Sequence, residues 1–206
     1  MLQFDMMTNQ DELTKHLQES AVLHSKALTK AFLSIDRKDF VRPEYISEAY
    51  GDYPLPIGYG QTISQPYTVV FMLEALQISP EDSVLDIGAG SGWTTALMAT
   101  IARQVVGVER IPELVAFAKE NLAKYHFTNA TIFKAGSELG IPNATFDKIL
   151  VSAAALSFPD ALLSQLNPGG KIVIPVQNSI LLIDKENEGN ISRHTFDGFV
   201  FVPLVV

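Results

Sequence analysis

The sequence predicts an α/β protein: a Rossmann-like three-layer α/β/α sandwich around a mostly parallel seven-stranded sheet, with an antiparallel C-terminal strand and extra N-terminal helices. Three observations carry this. From Ser83 onward, strand-like apolar runs alternate with helix-like ones, and that alternation implies right-handed βαβ crossovers and parallel pairing. The run "VLDI" leads into "GAGSG" and then a helical segment, the strand–turn–helix unit of a ligand crevice. The last two strand-like runs are joined by "KENEGN" with no helix between them, which implies an antiparallel pair at one side.

Each element follows from its pattern. Residues 11–35 read as helical, because Leu13, Leu17, Leu28, Ala31, Phe32 and Ile35 recur at broken helical spacing. Residues 36–65 read as loop, with Pro43, Pro54, Pro56, Gly51, Gly58 and Gly60. A helix is expected from Pro66, which suits a first turn, to about Gln77. "SVLDIG", "QVVGVE", "ATIFKA" and "DKILVSAA" read as strands; "WTTALMATIA", "PELVAFAKENLAKY" and the short "FPDALLSQL" read as helices. "KIVIPV", "SILLID" and "GFVFVPLVV" complete the strands. The whole chain is expected to form one domain, with residues 1–65 as an N-terminal extension shaping the substrate site and residues 66–206 as the cofactor-binding core.

Composition narrows the functional classes. Apolar residues make up 47% and charged residues 18% of the 206, as in a compact globular protein. The net charge of −8 disfavours a general nucleic-acid binder, which needs a basic face. The absence of cysteine excludes disulfides, thiolate catalysis and cysteine–zinc sites. His16, His24, His126 and His194 show no ligand spacing, so no metal is expected. No apolar run approaches the ~20 residues of a membrane span, and "MLQFDMMTNQDELTK" lacks a signal-peptide pattern. A cytoplasmic enzyme or binding protein is the expectation.

The glycine loop separates two cofactor classes. Nicotinamide sites need G-x-G-x-x-G and hold a pyrophosphate. Here the spacing is G-x-G-x-G (Gly88, Gly90, Gly92), and Asp86 stands on the strand just before it. A carboxylate there is awkward beside a diphosphate but suits S-adenosylmethionine, which carries a sulfonium and an ammonium and no phosphate. Asp86 can hold the ammonium directly or through a water; its alternative is a structural acid at the turn. Glu109 ends the next strand, where an acid can accept hydrogen bonds from both ribose hydroxyls; its alternative is a solvated acid at a strand end. That feature reports a ribose and not which nucleotide.

"GQTISQP", "VLDIGAGSGW", "VVGVERIPEL", "FDKILVSAAA", "LNPGGKIVIPV" and "FVFVPL" follow one another in the order and spacing that resembles the protein-L-isoaspartate O-methyltransferase family. "DRKDFVRPEY" and "AYGDYPLPIG" upstream resemble it too. The resemblance covers residues 22–204. It implies methyl transfer from S-adenosylmethionine, leaving S-adenosylhomocysteine, to the α-carboxylate of L-isoaspartyl residues in damaged proteins and peptides. The ester then closes to a succinimide. It also implies that Ser64 is the functional serine, aligning the substrate carboxylate with Gln61, Thr62 and Ala154 around it. Pro66, Tyr67, Asp86, Gly88, Gly90, Glu109, Arg110, Gly136 and Ser137 fall at cofactor positions. A monomer acting on isoaspartyl proteins, with no nucleic acid or membrane partner, is expected.

Some readings stay open on the residues alone. Ser64 can be at the N-cap or N′ position of the helix starting at Pro66, a substrate contact, or both. The small residues of "VSAAA" either leave room for a peptide main chain or simply pack closely. The third strand should be followed by Gly-Asp-Gly, whose acid meets the adenine amino group. This chain has "AGSELG", with Gly136 at the acid's position and Glu138 two residues on. Val205 follows "VPL", where a polar tail contact is expected in relatives. A carboxyl methyltransferase with a dedicated peptide or metabolite substrate, and a non-catalytic binding protein of the same fold, are the competing readings.

Overall fold

The computed structural model describes residues 7–205. The elements are α1 (Gln10–Glu19), α2 (Lys26–Ser34), β1 (Leu55–Gly58), β2 (Gln61–Ile63), α3 (Pro66–Leu76), β3 (Ser83–Ile87), α4 (Trp93–Ala99), β4 (Gln104–Glu109), α5 (Pro112–Ala123), β5 (Ala130–Lys134), β6 (Phe146–Val151), β7 (Leu166–Val176), β8 (Ser179–Lys185) and β9 (Ile191–Asp197).

The stretch predicted as one helical region is two helices. Ala21 adopts a left-handed conformation, and Glu74 of α3 accepts the amides of His24 and Ser25 at 2.8 Å each. Ser25 then caps α2 through the Leu28 amide. The apolar spacing persists across the break because Leu13, Leu17, Leu28, Ala31 and Phe32 all enter one core.

Residues 36–65, expected as loop, also hold two 3₁₀ turns and the β1–β2 hairpin. Its corner is Tyr59–Gly60, both at positive φ (57° and 72°), as a tight primed turn requires. Leu55, Ile57 and Ile63 point inward.

The main sheet has the order β5-β4-β3-β6-β7-β8-β9. Pairing is parallel from β5 to β7, and β8 runs antiparallel between β7 and β9. The chain steps outward from β3 to β4 and β5, then returns to the other side of β3 with β6. The crevice at that reversal is where such sheets bind ligands. Side chains alternate across the sheet: Val84, Val105 and Leu150 face the core shared with α1–α5, while Leu85, Val106 and Ile149 face the other. The second face carries a thinner layer, residues 135–145 and a 3₁₀ turn at Asp160–Gln165, where a short helix was predicted.

The C-terminal expectation needs correction. The strand antiparallel to β8 is Ile191–Asp197, not "GFVFVPLVV", whose final residue lies outside the described part. As an edge strand exposed along almost its whole length, β9 is polar, which discourages edge-to-edge pairing. The apolar run behind it leaves the sheet and returns over the crevice. The Ala154 amide donates to the Val202 carbonyl and the Leu204 amide to the Ala154 carbonyl, both at 2.8 Å. Phe71 of α3 anchors the start of this segment against Phe196 and Phe199, with ring centroids 5.1 and 4.9 Å away.

Candidate active site

The carboxyl ends of β3, β4 and β6 open into a cleft with two inner compartments. One is lined by Gln61, Thr62, Ser64, Gly88, Gly90, Trp93, Thr94, Glu109 and Ser152 among others. The second runs from Glu109 and Arg110 to Gly136, Glu138 and residues 203–205. Gln61, Gly88, Glu109 and Ala153 belong to both. Their free volumes are small, about 60 and 70 Å³.

The loop after β3 is held from beneath. The amides of Gly88 and Ala89 donate to the Val108 carbonyl at 2.9 and 3.1 Å. Gly92 has φ +86°, and a Cβ there would lie 3.2 Å from the Ala118 Cβ, so only glycine suits the close approach of α5. Glu109 is 6% exposed. One carboxylate oxygen accepts the Gly90 amide at 3.1 Å and the other the Ile111 amide at 2.9 Å. Each oxygen keeps a lone pair for a further donor, as the two hydroxyls of a ribose supply.

Asp86 lies on the helix-facing side of β3 and is fully buried. One oxygen accepts the hydroxyls of Thr94 and Thr95 at 2.7 and 2.6 Å; the other has no partner among the described residues. Burial pushes its carboxyl up to about 6, and nearby Glu109 adds to the rise, against the two threonine hydrogen bonds. Asp86 is behind the cleft wall rather than on it. Thr94, which donates its hydroxyl to Asp86, does line the inner compartment.

Beyond the inner cleft lies a wider groove of about 680 Å³, lined by Pro54, Gln65, Tyr67, Thr68 and residues 198–202. Thr62, Ser64, Ser152 and Val202 line both the groove and the inner compartment. Ser64 is thus part of the boundary between a glycine-loop cleft and an open groove.

The sequence matches the family model described as protein-L-isoaspartate(D-aspartate) O-methyltransferase over residues 8–206. The chain belongs to this family. It is 40% identical over 204 residues to the protein-L-isoaspartate O-methyltransferase of Methanopyrus kandleri, covering 95% of this chain and 90% of that one. It is 43% identical over 187 residues to the Koribacter versatilis protein of the same name, covering 89% and 84%. Its fold superposes with a TM-score of 0.83 on a Plasmodium falciparum chain described as a protein-L-isoaspartate O-methyltransferase in complex with S-adenosyl-L-homocysteine. That pair is 25% identical, covering 97% and 99% of the two chains.

Within this methyltransferase framework the expected residues sort unevenly. Ser64, Thr62, Gly88, Gly90, Glu109, Arg110 and Gly136 line the cleft. Gln61, expected at the substrate, touches both inner compartments. Tyr67 lines the outer groove, not the glycine loop, and Pro66 is buried in the first turn of α3. Ser137 lines a side cavity beside Gly136 and Glu138.

Ala154 is not on the cleft wall; Ser152 and Ala153 are. Its backbone amide and carbonyl bond the chain's own C-terminal segment at residues 202 and 204. Nor is Ser64 a cap. Gln65 holds the cap position without a side-chain bond, and Asp52, twelve residues upstream of Ser64, accepts the Tyr67 amide at 2.8 Å. The Ser64 hydroxyl makes no hydrogen bond among the described residues. The stretches "VSAAA" and "FVFVPL" stand out in the sequence, but nothing in them shows that Ser152 and residues 199–202 form cleft walls.

Proposed function

We propose that the chain transfers the methyl group of S-adenosylmethionine to the α-carboxylate of L-isoaspartyl residues, with Ser64 aligning that carboxylate where the two cavities meet. The observation that carries this is the shared wall: a free serine hydroxyl between a glycine-loop cleft and a groove wide enough for a peptide. The donor set fits the cofactor. The inner compartment that Ser64 lines has one charged lining residue, Glu109, and no basic one, which suits a cation and opposes a diphosphate; Arg110 lines the other compartment. Three buried polar atoms in this region lack partners among the described residues, an Asp86 oxygen, the Trp93 indole N–H and the Arg37 Nε–H, but all three are closed off from the cleft, so the fit to a cation rests on Glu109.

When bound, S-adenosylmethionine supplies an electrophilic methyl carbon on a sulfonium. The substrate carboxylate is ionised at neutral pH, so no residue has to remove a proton, and the absence of histidine and lysine from the cleft walls follows. Ser64 donates to one carboxylate oxygen and leaves the other directed into the inner compartment. Such fixed geometry is the main resource for a reaction between two already reactive partners. Glu109 holds the ribose, Arg110 and Gly136 border the adenine end, and Gln61 closes over both halves. The reading includes isoaspartyl peptides as substrates, a monomeric state and a cytoplasmic location. Among the described residues no helix is long and apolar enough to cross a membrane.

The test is transfer of labelled methyl groups to an isoaspartyl peptide and to its aspartyl twin. Labelling of the first alone is expected. Equal labelling, or none, refutes the reading.

A further inference from the structure

The lip that carries Ser64 is held by a residue far from it in sequence. Arg37 is fully buried, with relative exposure of 0%. One terminal nitrogen donates to the carbonyls of Ala49 and Gly51 at 2.9 Å each; the other donates to Tyr53 at 2.9 Å and Ser64 at 3.1 Å. The guanidinium also lies over the Trp93 ring, 5.3 Å from its centroid, and Trp93 lines the inner compartment. Its Nε has no partner, and no carboxylate lies within ion-pair distance among the described residues. We infer that Arg37 is a positioning residue for methyl transfer, fixing the Ser64 backbone relative to the cofactor cleft. This rests on the function proposed above.

The chemistry favours that role over plain structural support. A buried cation with no ion pair costs desolvation energy, visible in a guanidinium pulled down to about 9 by burial, against the opposing pull of Asp52. A well-packed apolar side chain would fill the space at less cost. What it could not do is reach four carbonyls from two diverging nitrogens in one plane, which is the property peculiar to arginine. Three of those carbonyls belong to residues 49–53, and the fourth is that of Ser64. One rigid fork therefore ties the mouth of the groove to the serine, with its face against the cleft wall. Arg42 braces the neighbouring hairpin in the same way, donating to the Ile57 carbonyl at 2.8 Å while lying 4.3 Å over the Phe117 ring.

The test is a double-mutant cycle with Arg37→Lys, which keeps the charge and most of the volume, and Ser64→Ala. Arg37→Met serves as a second variant if the lysine does not fold. Arg37→Lys is expected to lower kcat on an isoaspartyl peptide at least tenfold. Its dissociation constant for S-adenosylhomocysteine, read by calorimetry, should stay within about threefold of the parent. Adding Ser64→Ala should cost little more, because the serine is already misplaced. Losses that multiply, or a proportional loss of cofactor binding, overturn the inference. A second arm needs no activity. Amide hydrogen exchange should accelerate over residues 50–65 and not over residues 83–109; equal protection in both proteins also overturns it. If the parent itself fails to methylate the peptide, the proposed function falls and the exchange arm decides Arg37 alone.

Discussion

Asp86 should make the protein more stable in mild acid than its other carboxylates would suggest. The group is fully buried with one oxygen unpartnered, and its carboxyl rises from 3.8 to about 6. A raised folded value means the native state binds the proton more tightly than the unfolded chain does. The penalty for ionisation is then complete above pH 6 and vanishes below 3.8, so stability from this group increases as pH falls through that window. At 1.36 kcal/mol per unit the difference amounts to roughly 3 kcal/mol. The assay is urea unfolding followed by the emission of Trp93, the single tryptophan, for the parent and Asp86→Asn at pH 8 and pH 4. Asparagine keeps the shape but cannot titrate, and whatever it costs in hydrogen bonding is the same at both pH values. Asp147, whose carboxyl is lowered by the Ser83 and Asn167 hydrogen bonds against its burial, acts in both proteins and cancels. The parent should gain about 2–3 kcal/mol on Asp86→Asn between the two pH values. A gap that stays constant within ~0.5 kcal/mol would refute the assignment.

Ser64→Ala should lower kcat/KM for an isoaspartyl peptide roughly 10- to 100-fold, the range for one hydrogen bond to a charged group. S-adenosylhomocysteine affinity should hold; calorimetry showing a parallel loss would move Ser64 into the cofactor site. Gly136→Asp should tighten S-adenosylhomocysteine binding several-fold, since a Cβ at Gly136 meets nothing within 4 Å and the new carboxylate can accept from the adenine amino group. Unchanged or weaker binding argues against that position for adenine. An isoaspartyl peptide should bind at least tenfold more tightly to enzyme saturated with sinefungin, which has an ammonium near the sulfonium position, than to enzyme holding S-adenosylhomocysteine. Equal peptide affinity by fluorescence titration counts against charge pairing between the two ligands.

The parts of the site legible in the sequence are those built from adjacent residues. The strand, glycine loop and helix at residues 83–99 stand where the spacing puts them, because the turn geometry is local. Glu109 is legible for the same reason, as the end of a strand. The support of the lip is not. Arg37 reaches carbonyls 12 to 27 residues away, and Asp52 reaches the Tyr67 amide across 15; neither contact leaves a periodic trace. The β1–β2 hairpin is hidden because Pro54 and Pro56 read as loop while the alternation lasts only a few residues. The C-terminal run failed in the opposite way. Its apolar run is real, but it records the half-burial of Phe199, Phe201, Val202 and Leu204 over the crevice rather than strand pairing, and β9 is hidden because an edge strand facing solvent has little apolar pattern to show.

An electrostatic constraint connects these features. The chain carries a net charge of −8 and puts Glu109 on the cleft wall with Asp86 buried behind it, yet the proposed nucleophile is itself an anion. A fixed basic side chain in the compartment that Ser64 lines would attract that carboxylate, but it would also hold it in the ground state and repel the sulfonium; the basic residue of the cleft, Arg110, lines the other compartment. The walls instead offer neutral donors at the carboxylate's expected position, from Thr62, Ser64 and Ser152. The one deeply buried cation nearby, Arg37, has four of its five N–H groups committed to backbone carbonyls and cannot turn to capture the substrate. The positive charge that draws the carboxylate inward is then the cofactor's own. Charge pairing across the reacting atoms disappears once the methyl group has moved, because the ester and thioether formed are both neutral. The same acidic cleft that favours the cation therefore favours release after transfer, without a change in any residue's protonation.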